Sequence, residues 1–159
     1  MNRTEILEGL VSIVGSDNVL SSTRDLLVYE YDAATEVVLP EFVVFPGTTS
    51  QVSEVMGLAR SERVPVVVRG AGTNLSGGTV ALRGGIVLVF TRMERVLSAD
   101  AENERVEVEP GVVNLDLQNL LAPLGYLYAP DPSSQKVSTI GGNVGENAGG
   151  PHCLKYGIT

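Results

Sequence analysis

The sequence has one cysteine, one histidine, and only 11 lysines and arginines against 19 aspartates and glutamates. A single cysteine cannot form a disulfide within the chain, which favours a reducing compartment, predicted here to be the cytoplasm. The net charge of −8, with no basic cluster, argues against nucleic-acid binding. No apolar run approaches the roughly 20 residues of a membrane helix, and the opening stretch has no signal-peptide core. We therefore expect neither a transmembrane segment nor a leader peptide.

The chain does contain enough apolar residues, 43% of 159, to build a globular core. Apolar residues at helical spacing predict a helix over 4–15. Short apolar runs predict buried strands at 41–45 and 64–68, with a helix between them that Thr49 or Ser50 caps. A strand, a helix and a strand in this order predict a βαβ unit and hence a parallel pair of strands.

Further along the chain, the apolar run at 86–90 predicts another buried strand. Residues 105–109 alternate between apolar and charged side chains, which is typical of a strand with one wet face. The pattern then predicts a helix that Asn114 caps and that Gly125 ends. From Tyr126 onward the apolar residues follow neither the helical nor the strand periodicity, which indicates a binding segment rather than regular structure.

Eleven of the 18 glycines lie in two windows, residues 70–85 and 141–150. Glycine lets the backbone take positive φ and lets a ligand approach the main chain closely. Two such windows in one small chain predict two walls of a site that binds a phosphate-bearing cofactor through backbone N–H groups. Because the chain has no basic cluster, we expect backbone dipoles to do most of the work of holding such an anion.

The first window fits no standard nucleotide-binding motif. The dinucleotide fingerprint G-x-G-x-x-G fails because Leu75 occupies the position of the third glycine. The Walker loop matches at Gly72, Gly77 and Thr79, but Gly78 replaces the lysine that contacts the phosphates. From this window alone, an anion-binding turn and a plain glycine-rich turn both remain open.

The second window follows a rigid Pro-Asp-Pro turn at 130–132. Polar side chains and bare backbone gather between Thr139 and Gly149. Asparagine both donates and accepts hydrogen bonds, which suits the edge of a heterocycle. The alternative is a solvent loop that merely tolerates glycine and asparagine.

Three stretches of the sequence together carry a family resemblance: VVVRGAGTNLSGG, PGVVN and YAPDPSSQKVSTIGGNVGENAGGPHCLKYG. They resemble the FAD-linked oxidases, the flavoproteins with a vanillyl-alcohol-oxidase-type (PCMH-type) FAD-binding domain, and within them the bacterial glycolate oxidase D subunits and D-lactate dehydrogenases. The resemblance runs from about Tyr29 to the last residue. It implies an α+β fold with an N-terminal subdomain that contains the βαβ unit, followed by the start of a second subdomain. We expect an N-terminal helical segment over 1–35 and a truncated FAD-binding domain over 36–159.

The resemblance also implies which residues hold FAD. The first loop would wrap the pyrophosphate with backbone amides, and the PDPSS stretch and the segment after it would run along the flavin and its ribityl chain. The implied cofactor-binding residues are Arg69, Gly70, Ala71, Gly72, Thr73, Asn74, Gly77, Pro130, Asp131, Ser134, Thr139, Gly142, Asn143, Asn147, Ala148 and Gly149. Thr73 stands where some relatives attach the flavin through a histidine, and the segment before Thr139 has no cysteine. We therefore expect non-covalent FAD.

The only histidine and the only cysteine are adjacent, at His152 and Cys153. Two adjacent residues cannot form a four-ligand structural metal site, so we expect no metal. A role in a pocket wall is favoured over a catalytic His–Cys pair. Asp131 is expected to stabilise the turn between its prolines rather than act as a general base. We predict no catalytic residue in this chain.

The function implied by the resemblance is that of a flavin-dependent oxidase or dehydrogenase of small 2-hydroxy acids, of the glycolate or D-lactate type. Hydride would pass from the substrate to flavin N5. Because family members continue for some hundreds of residues, we expect a fragment that is inactive alone, with iron–sulfur and flavin subunits as partners of the whole protein. Two alternatives remain open: a stand-alone nucleotide-binding module without redox turnover, and a nicotinamide-dependent reductase of the same fold.

Overall fold

The computed structural model describes residues 2–159 and divides into two compact units, the first ending at Arg92 and the second beginning at Met93. Both units combine helices with strands, which confirms the predicted α+β class. The elements of the first unit are α1 (Arg3–Val14), β1 (Val19–Leu20), α2 (Thr23–Leu26), β2 (Phe42–Val44), α3 (Thr49–Glu62), β3 (Val66–Arg69) and β4 (Ile86–Val89). The predicted separation of residues 1–35 from 36–159 stays a prediction.

The sheet of the first unit has the strand order β1-β2-β4-β3. Strand β4 pairs in parallel with both neighbours, so that Val87 lies opposite Val43 on one side and Val67 on the other. β1 adds an antiparallel edge. The predicted strand–helix–strand unit is present with its strands parallel, but β4 lies between the two, which local sequence order could not reveal.

Both faces of this sheet are buried, and the side chains alternate between them as the period of two requires. Phe42 and Ile86 point into a cluster with helices α1 and α3, whose Leu10 and Val55 are fully buried. Val43, Val87 and Val89 point to the other side, where they pack with Leu26 and Ala81. Each such fully buried apolar side chain contributes about 1.5–3 kcal/mol. The continuous apolar runs of the sequence reflect this two-sided burial.

The helices of the first unit begin at side-chain caps. The Asn2 side chain accepts hydrogen bonds from the backbone of Thr4 and Glu5, and the Glu5 carboxylate accepts one from the Asn2 N–H in return. α3 is capped by Thr48, whose hydroxyl accepts from the Gln51 N–H. The prediction of Thr49 or Ser50 as this cap was therefore wrong by one residue, because three neighbouring hydroxyl residues offer the same chemistry.

The second unit contains β5 (Val96–Asp100), β6 (Arg105–Val108), α4 (Asn114–Leu121), α5 (Ile140–Gly145) and α6 (Cys153–Tyr156). β5 and β6 form an antiparallel hairpin with an irregularity between Val96 and Ser98. The sequence pattern predicts β6 but not β5, since only β6 alternates cleanly between apolar and charged side chains. Glu109, just after β6, joins the base of the hairpin by accepting three hydrogen bonds from Arg95.

Helix α4 begins one residue earlier than predicted. Its cap is Val113, without a side-chain hydrogen bond, and Asn114 is the first helical residue. The Asn114 side chain is 1% exposed, and its Nδ2 donates to the Pro130 carbonyl at 2.9 Å. The prediction of Asn114 as a cap was wrong because tertiary burial uses its amide instead. Gly125 ends this segment with φ of +81°, as predicted.

The stretch after Tyr126, predicted to lack regular structure, contains two short helices. Thr139 caps α5 by accepting a hydrogen bond from the Gly142 N–H at 3.2 Å. α6 is a single turn that follows the second glycine window. Neither carries enough turns to show an apolar period, which explains why the sequence pattern missed them.

Candidate functional site

The first glycine window connects two neighbouring parallel strands, β3 and β4, and it has two parts. Residues 70–78 form an open loop with positive φ at Gly72 (+69°) and Gly77 (+75°). Val80 and Ala81 are buried in the core, and Gly84 and Gly85 lead into β4 with φ of +67° and +83°. Only the first part is free to bind a ligand, and it holds all the cofactor contacts predicted for this window after Arg69.

The backbone of this open loop presents unused donors. Within the described residues, the N–H groups of Ala71, Gly72 and Thr73 donate no hydrogen bond. Consecutive free amides in a turn with positive φ form a concave site for an anion. The structure therefore supports the anion-binding turn over the plain turn.

The side chain of Arg69 lies beneath the loop rather than in the solvent. It is 8% exposed, its Nη1 donates to the Tyr31 carbonyl at 2.7 Å, and its Cζ lies 5.6 Å from the centre of the Tyr29 ring. Burial lowers the pKa of Arg69, and the charge of Asp32 opposes that shift. A Cβ on Gly72 would overlap this guanidinium, so glycine is required there. Arg69 as a direct cofactor contact stays a prediction.

Asn74 is also used inside the protein. Its Nδ2 donates to Asp32 Oδ2 at 2.7 Å, and its Oδ1 lies 3.2 Å from the Thr79 hydroxyl. Asp32 and Thr79 were not predicted as site residues. Asp32 stands in an irregular stretch far from the loop in sequence, where no local pattern signals its role.

The second predicted segment is anchored through its backbone. The Ile140 N–H donates to the Val112 carbonyl at 2.8 Å, and the Gly141 N–H donates to the Pro110 carbonyl at 2.9 Å. A Cβ on Gly141 would overlap Pro110, so this close approach requires glycine. Thr139, as the cap of α5, and Gly142, as its donor, are thus positioned by the segment at 110–114.

Two polar groups in this segment are buried without a partner. Asn143 is 2% exposed and its Nδ2 makes no hydrogen bond; Ser138 is 6% exposed and its Oγ makes none either. Buried polar atoms are nearly always paired, and each exception needs an explanation. A bound molecule that pairs with them supplies one.

The remaining predicted residues of this segment are placed as follows. The Pro130 carbonyl accepts from Asn114, and the Ser134 carbonyl accepts from Val137 and Ser138. Asn147 has φ of +54°, and Ala148 donates through its N–H to the Asn143 carbonyl at 2.8 Å. These residues shape the backbone around Asn143, and their contact with the cofactor stays a prediction.

Asp131 pairs with His152 rather than only bracing its own turn. Its Oδ2 lies 3.0 Å from His152 Nδ1, and Gly150 packs directly against it. Gly149 packs against Cys153, whose Sγ accepts from the Gly150 N–H at 2.9 Å. His152 and Cys153 therefore bind different partners and do not form a nucleophile–base pair with each other.

A pocket of about 160 Å³ lies between the β5–β6 hairpin and the end of α4, with Leu121, Leu124 and Leu127 in its wall. None of the predicted cofactor-binding residues lines it. Among residues 2–159, no three His, Cys, Asp or Glu side chains gather as metal ligands, and no helix is long and apolar enough to cross a membrane.

These features define a class of protein. A loop with free amides and required positive φ suits a pyrophosphate, and buried donors without partners suit a heterocyclic cofactor. Each unit thus has a feature that fits a part of a nucleotide cofactor. The chain has the features of a cofactor-binding domain.

Comparison with known families agrees with this class. The family model described as "FAD binding domain" matches residues 40–159. The chain therefore belongs to the FAD binding domain family, and the predicted cofactor FAD and the predicted family are confirmed.

Curated relatives cover nearly all of the chain. It is 44% identical over 156 residues to the glycolate oxidase subunit GlcD of Bacillus subtilis, a match to 98% of this chain and 33% of that protein. It is 41% identical over 120 residues to the D-lactate dehydrogenase of Anaerostipes hadrus, covering 76% of this chain and 25% of that protein. The chain thus spans about a third of the length of GlcD.

A solved structure confirms the fold. Alkyldihydroxyacetonephosphate synthase superposes with a TM-score of 0.86 at 21% identity, over 99% of this chain and 34% of that one. At this identity the likeness shows a shared fold and no more.

Proposed function

We propose that this chain is the FAD-binding portion of a flavin-dependent oxidase or dehydrogenase of small 2-hydroxy acids. The observation that carries the proposal is the similarity of nearly the whole chain to a glycolate oxidase subunit. The free amides of the open loop and the unpaired donors at Ser138 and Asn143 support it, because FAD offers both a pyrophosphate and a heterocycle.

The residues of this chain bind and orient the cofactor. The N–H groups of Ala71, Gly72 and Thr73 donate to the pyrophosphate oxygens, and neutral backbone donors suit a chain that has few cations. Asn143 donates through Nδ2 to a polar atom of the cofactor. When bound, FAD supplies the hydride acceptor for oxidation of the substrate's alcohol carbon.

The attachment is non-covalent in this proposal. Thr73 offers no nucleophile comparable to a histidine, and Cys153 is engaged with the Gly150 N–H. Denaturation with acid should release all of the flavin into the supernatant. Flavin that stays with the precipitated protein would contradict this part.

The central experiment uses the full-length protein. Its visible absorption spectrum should show bound flavin, and anaerobic addition of glycolate or D-lactate should bleach it. A colourless protein that takes up no FAD would refute the proposal. Bleaching by a reduced nicotinamide alone would favour a reductase of the same fold, and bound flavin that nothing reduces would favour a module without redox turnover.

We further propose that the whole protein works in the cytoplasm together with iron–sulfur and flavin subunits. The relative's name as a subunit supports the assembly, and the free thiol of Cys153 fits a reducing compartment. Affinity purification from the native host at low salt, followed by cell fractionation, tests both. Recovery of the protein alone, or outside the cytoplasmic fraction, would count against them.

A further inference from the structure

Residues 30–38 form a short hairpin, here called the bracing hairpin, which precedes the region that the family model matches, residues 40–159. Tyr31 and Val37 form an antiparallel bridge, and the Val38 N–H donates to the Glu30 carbonyl at 2.8 Å. The hairpin contacts the open loop of the first glycine window at several points. Its function is not explained by the fold of the sheet, because it adds no strand to it.

The centre of these contacts is the Asp32 carboxylate, which is 7% exposed. Oδ1 accepts from the Ala34 N–H at 2.7 Å, which closes the hairpin's own turn. Oδ2 accepts from Asn74 Nδ2 at 2.7 Å and from the Thr79 hydroxyl at 3.2 Å. One carboxylate therefore joins the hairpin to the middle of the open loop and to the residue just after it.

Backbone contacts extend this connection. The Ala33 N–H donates to the Asn74 carbonyl at 3.2 Å, and Arg69 Nη1 donates to the Tyr31 carbonyl at 2.7 Å. The hairpin thus contacts Arg69 just before the loop, Asn74 in its middle and Thr79 just after it.

Asp32 is held as a carboxylate at neutral pH. Burial raises the pKa of Asp32, but the hydrogen bonds from Ala34, Asn74 and Thr79 together outweigh burial, and the pKa lies below its ordinary value. An ionised carboxylate only accepts hydrogen bonds, and each of these contacts supplies a donor.

The loop needs such support because of its composition. Glycine loses more conformational freedom than any other residue when it is fixed, and a loop that must be ordered at binding lowers affinity by that cost. A loop that is ordered beforehand keeps its amides in place for the ligand. Residues 70–78 belong to no helix or strand, so regular backbone hydrogen bonding does not order them.

We infer that Asp32 is a positioning residue, which fixes the loop at residues 70–78 in its FAD-binding conformation before the cofactor arrives. The inference rests on the proposed function, since it assumes that this loop binds FAD. It assigns a role in cofactor binding to a segment of the chain outside residues 40–159.

The test compares pairs of variants in the full-length protein. Asp32→Ala removes the carboxylate with all its hydrogen bonds, and Thr79→Val removes the hydroxyl alone. Thr79→Ser keeps the hydroxyl, and Asp32→Asn keeps a side chain with which Asn74 can pair after an amide flip. Asp100→Ala is the matched control, because Asp100 also accepts from an asparagine side chain and a backbone N–H, in the β5–β6 hairpin. FAD affinity is measured by fluorescence titration, and the order of the loop by hydrogen exchange of the apo-protein.

Loss of one buried, charge-assisted hydrogen bond should weaken FAD binding by about tenfold or more in Asp32→Ala and Thr79→Val. In both variants the amides of residues 70–78 should exchange faster in the apo-protein. Thr79→Ser should recover most of the affinity. Asp32→Asn should recover only part of it, because its Nδ2 cannot accept from the Thr79 backbone N–H. Asp100→Ala should leave the affinity within about twofold, since that network is exposed. Should Asp32→Ala fail to fold, the Thr79→Val and Thr79→Ser pair decides.

Unchanged FAD affinity and unchanged loop exchange in Thr79→Val would overturn the inference. So would an equal loss in Thr79→Ser, because that result would point to volume rather than to the hydroxyl. A wild-type protein that binds no FAD refutes the proposed function instead, and the exchange of the apo-loop then still shows whether Asp32 orders it.

Discussion

The two glycine-rich segments differ in the polar groups that they leave available. In the loop at 70–78, the Asn74 side chain is already paired within the protein, with Asp32. In the segment at 130–150, Ser138 and Asn143 are buried and unpaired. The first therefore offers mainly its backbone, whereas the second offers side chains that only an added molecule can satisfy. Substitutions should act through backbone conformation in the first and through lost donors in the second.

Gly72→Val is expected to have the largest effect, and it tests whether the loop at 70–78 acts through its backbone conformation. Positive φ costs a β-branched residue about 1–3 kcal/mol, and the new side chain would also displace Arg69. We expect FAD affinity to fall by at least about 100-fold, as measured by equilibrium dialysis.

Gly125→Val is the control for this substitution. Gly125 has a similar φ of +81° but no neighbour within reach of a new Cβ. Its substitution should lower thermal stability and leave the affinity for FAD nearly unchanged. Equal losses of FAD in both variants would mean that general destabilisation, and not the loop, explains the effect.

The second prediction concerns Asn143→Leu in the other segment. Leucine has the same branched arrangement of side-chain heavy atoms, although it is larger, and it removes the unpaired Nδ2, so the apo-protein should lose little stability. FAD binding should weaken by about tenfold or more, because a buried donor is lost. Thermal unfolding without cofactor and titration with FAD measure the two effects.

Asn114→Leu is the matched comparison, since Asn114 is equally buried but donates to Pro130. This change should lower the free energy of unfolding by about 1–3 kcal/mol. If both variants destabilised the apo-protein alike, the two segments would not differ as proposed.

The sequence predicted strands β2, β3 and β4 of the first unit, because each is a local apolar run, but it missed the two-residue edge strand β1. That the loop at 70–78 binds an anion stays a prediction. The sequence could not predict that β4 lies between β2 and β3, since strand order depends on contacts distant in sequence. It also missed Asp32 and Thr79, whose roles arise only where the chain returns on itself. Asn114 and Asp131 were assigned local roles as a cap and a turn residue, but the fold engages them with Pro130 and His152.

The third prediction concerns acid sensitivity. Hydrogen bonding and charge from Arg95 lower the pKa of Glu109 below its ordinary value of 4.5. The stabilisation is therefore complete above that value and is lost as pH falls through the lowered pKa. Glu109→Gln should show a smaller fall in melting temperature between neutral and acid pH than wild type. Asp32, in the first unit, should still titrate in this variant, so a variant with no acid sensitivity at all would contradict the separate roles of the two groups.

The smallest effect is expected for His152→Gln. The His152 side chain is 46% exposed, so its pairing with Asp131 should contribute less than about 1 kcal/mol. Urea unfolding should detect little change, and FAD affinity should stay within about twofold. A large loss of FAD affinity would contradict this prediction, because it would mean that the pairing of His152 with Asp131 contributes to cofactor binding.

The position of β4 has a consequence for how the nascent chain folds. Strands β2 and β3 are synthesised before β4. In the folded sheet they do not hydrogen-bond to each other, because β4 lies between them. Until residues 86–89 have left the ribosome, β2 and β3 each keep an edge without its strand partner. Apolar strands with unpaired edges make a chain prone to aggregate. The glycine-rich connection between β3 and β4 sets how much chain must be made before β4 follows. Shortening it would bring β4 sooner but would remove the loop that we propose to bind the cofactor.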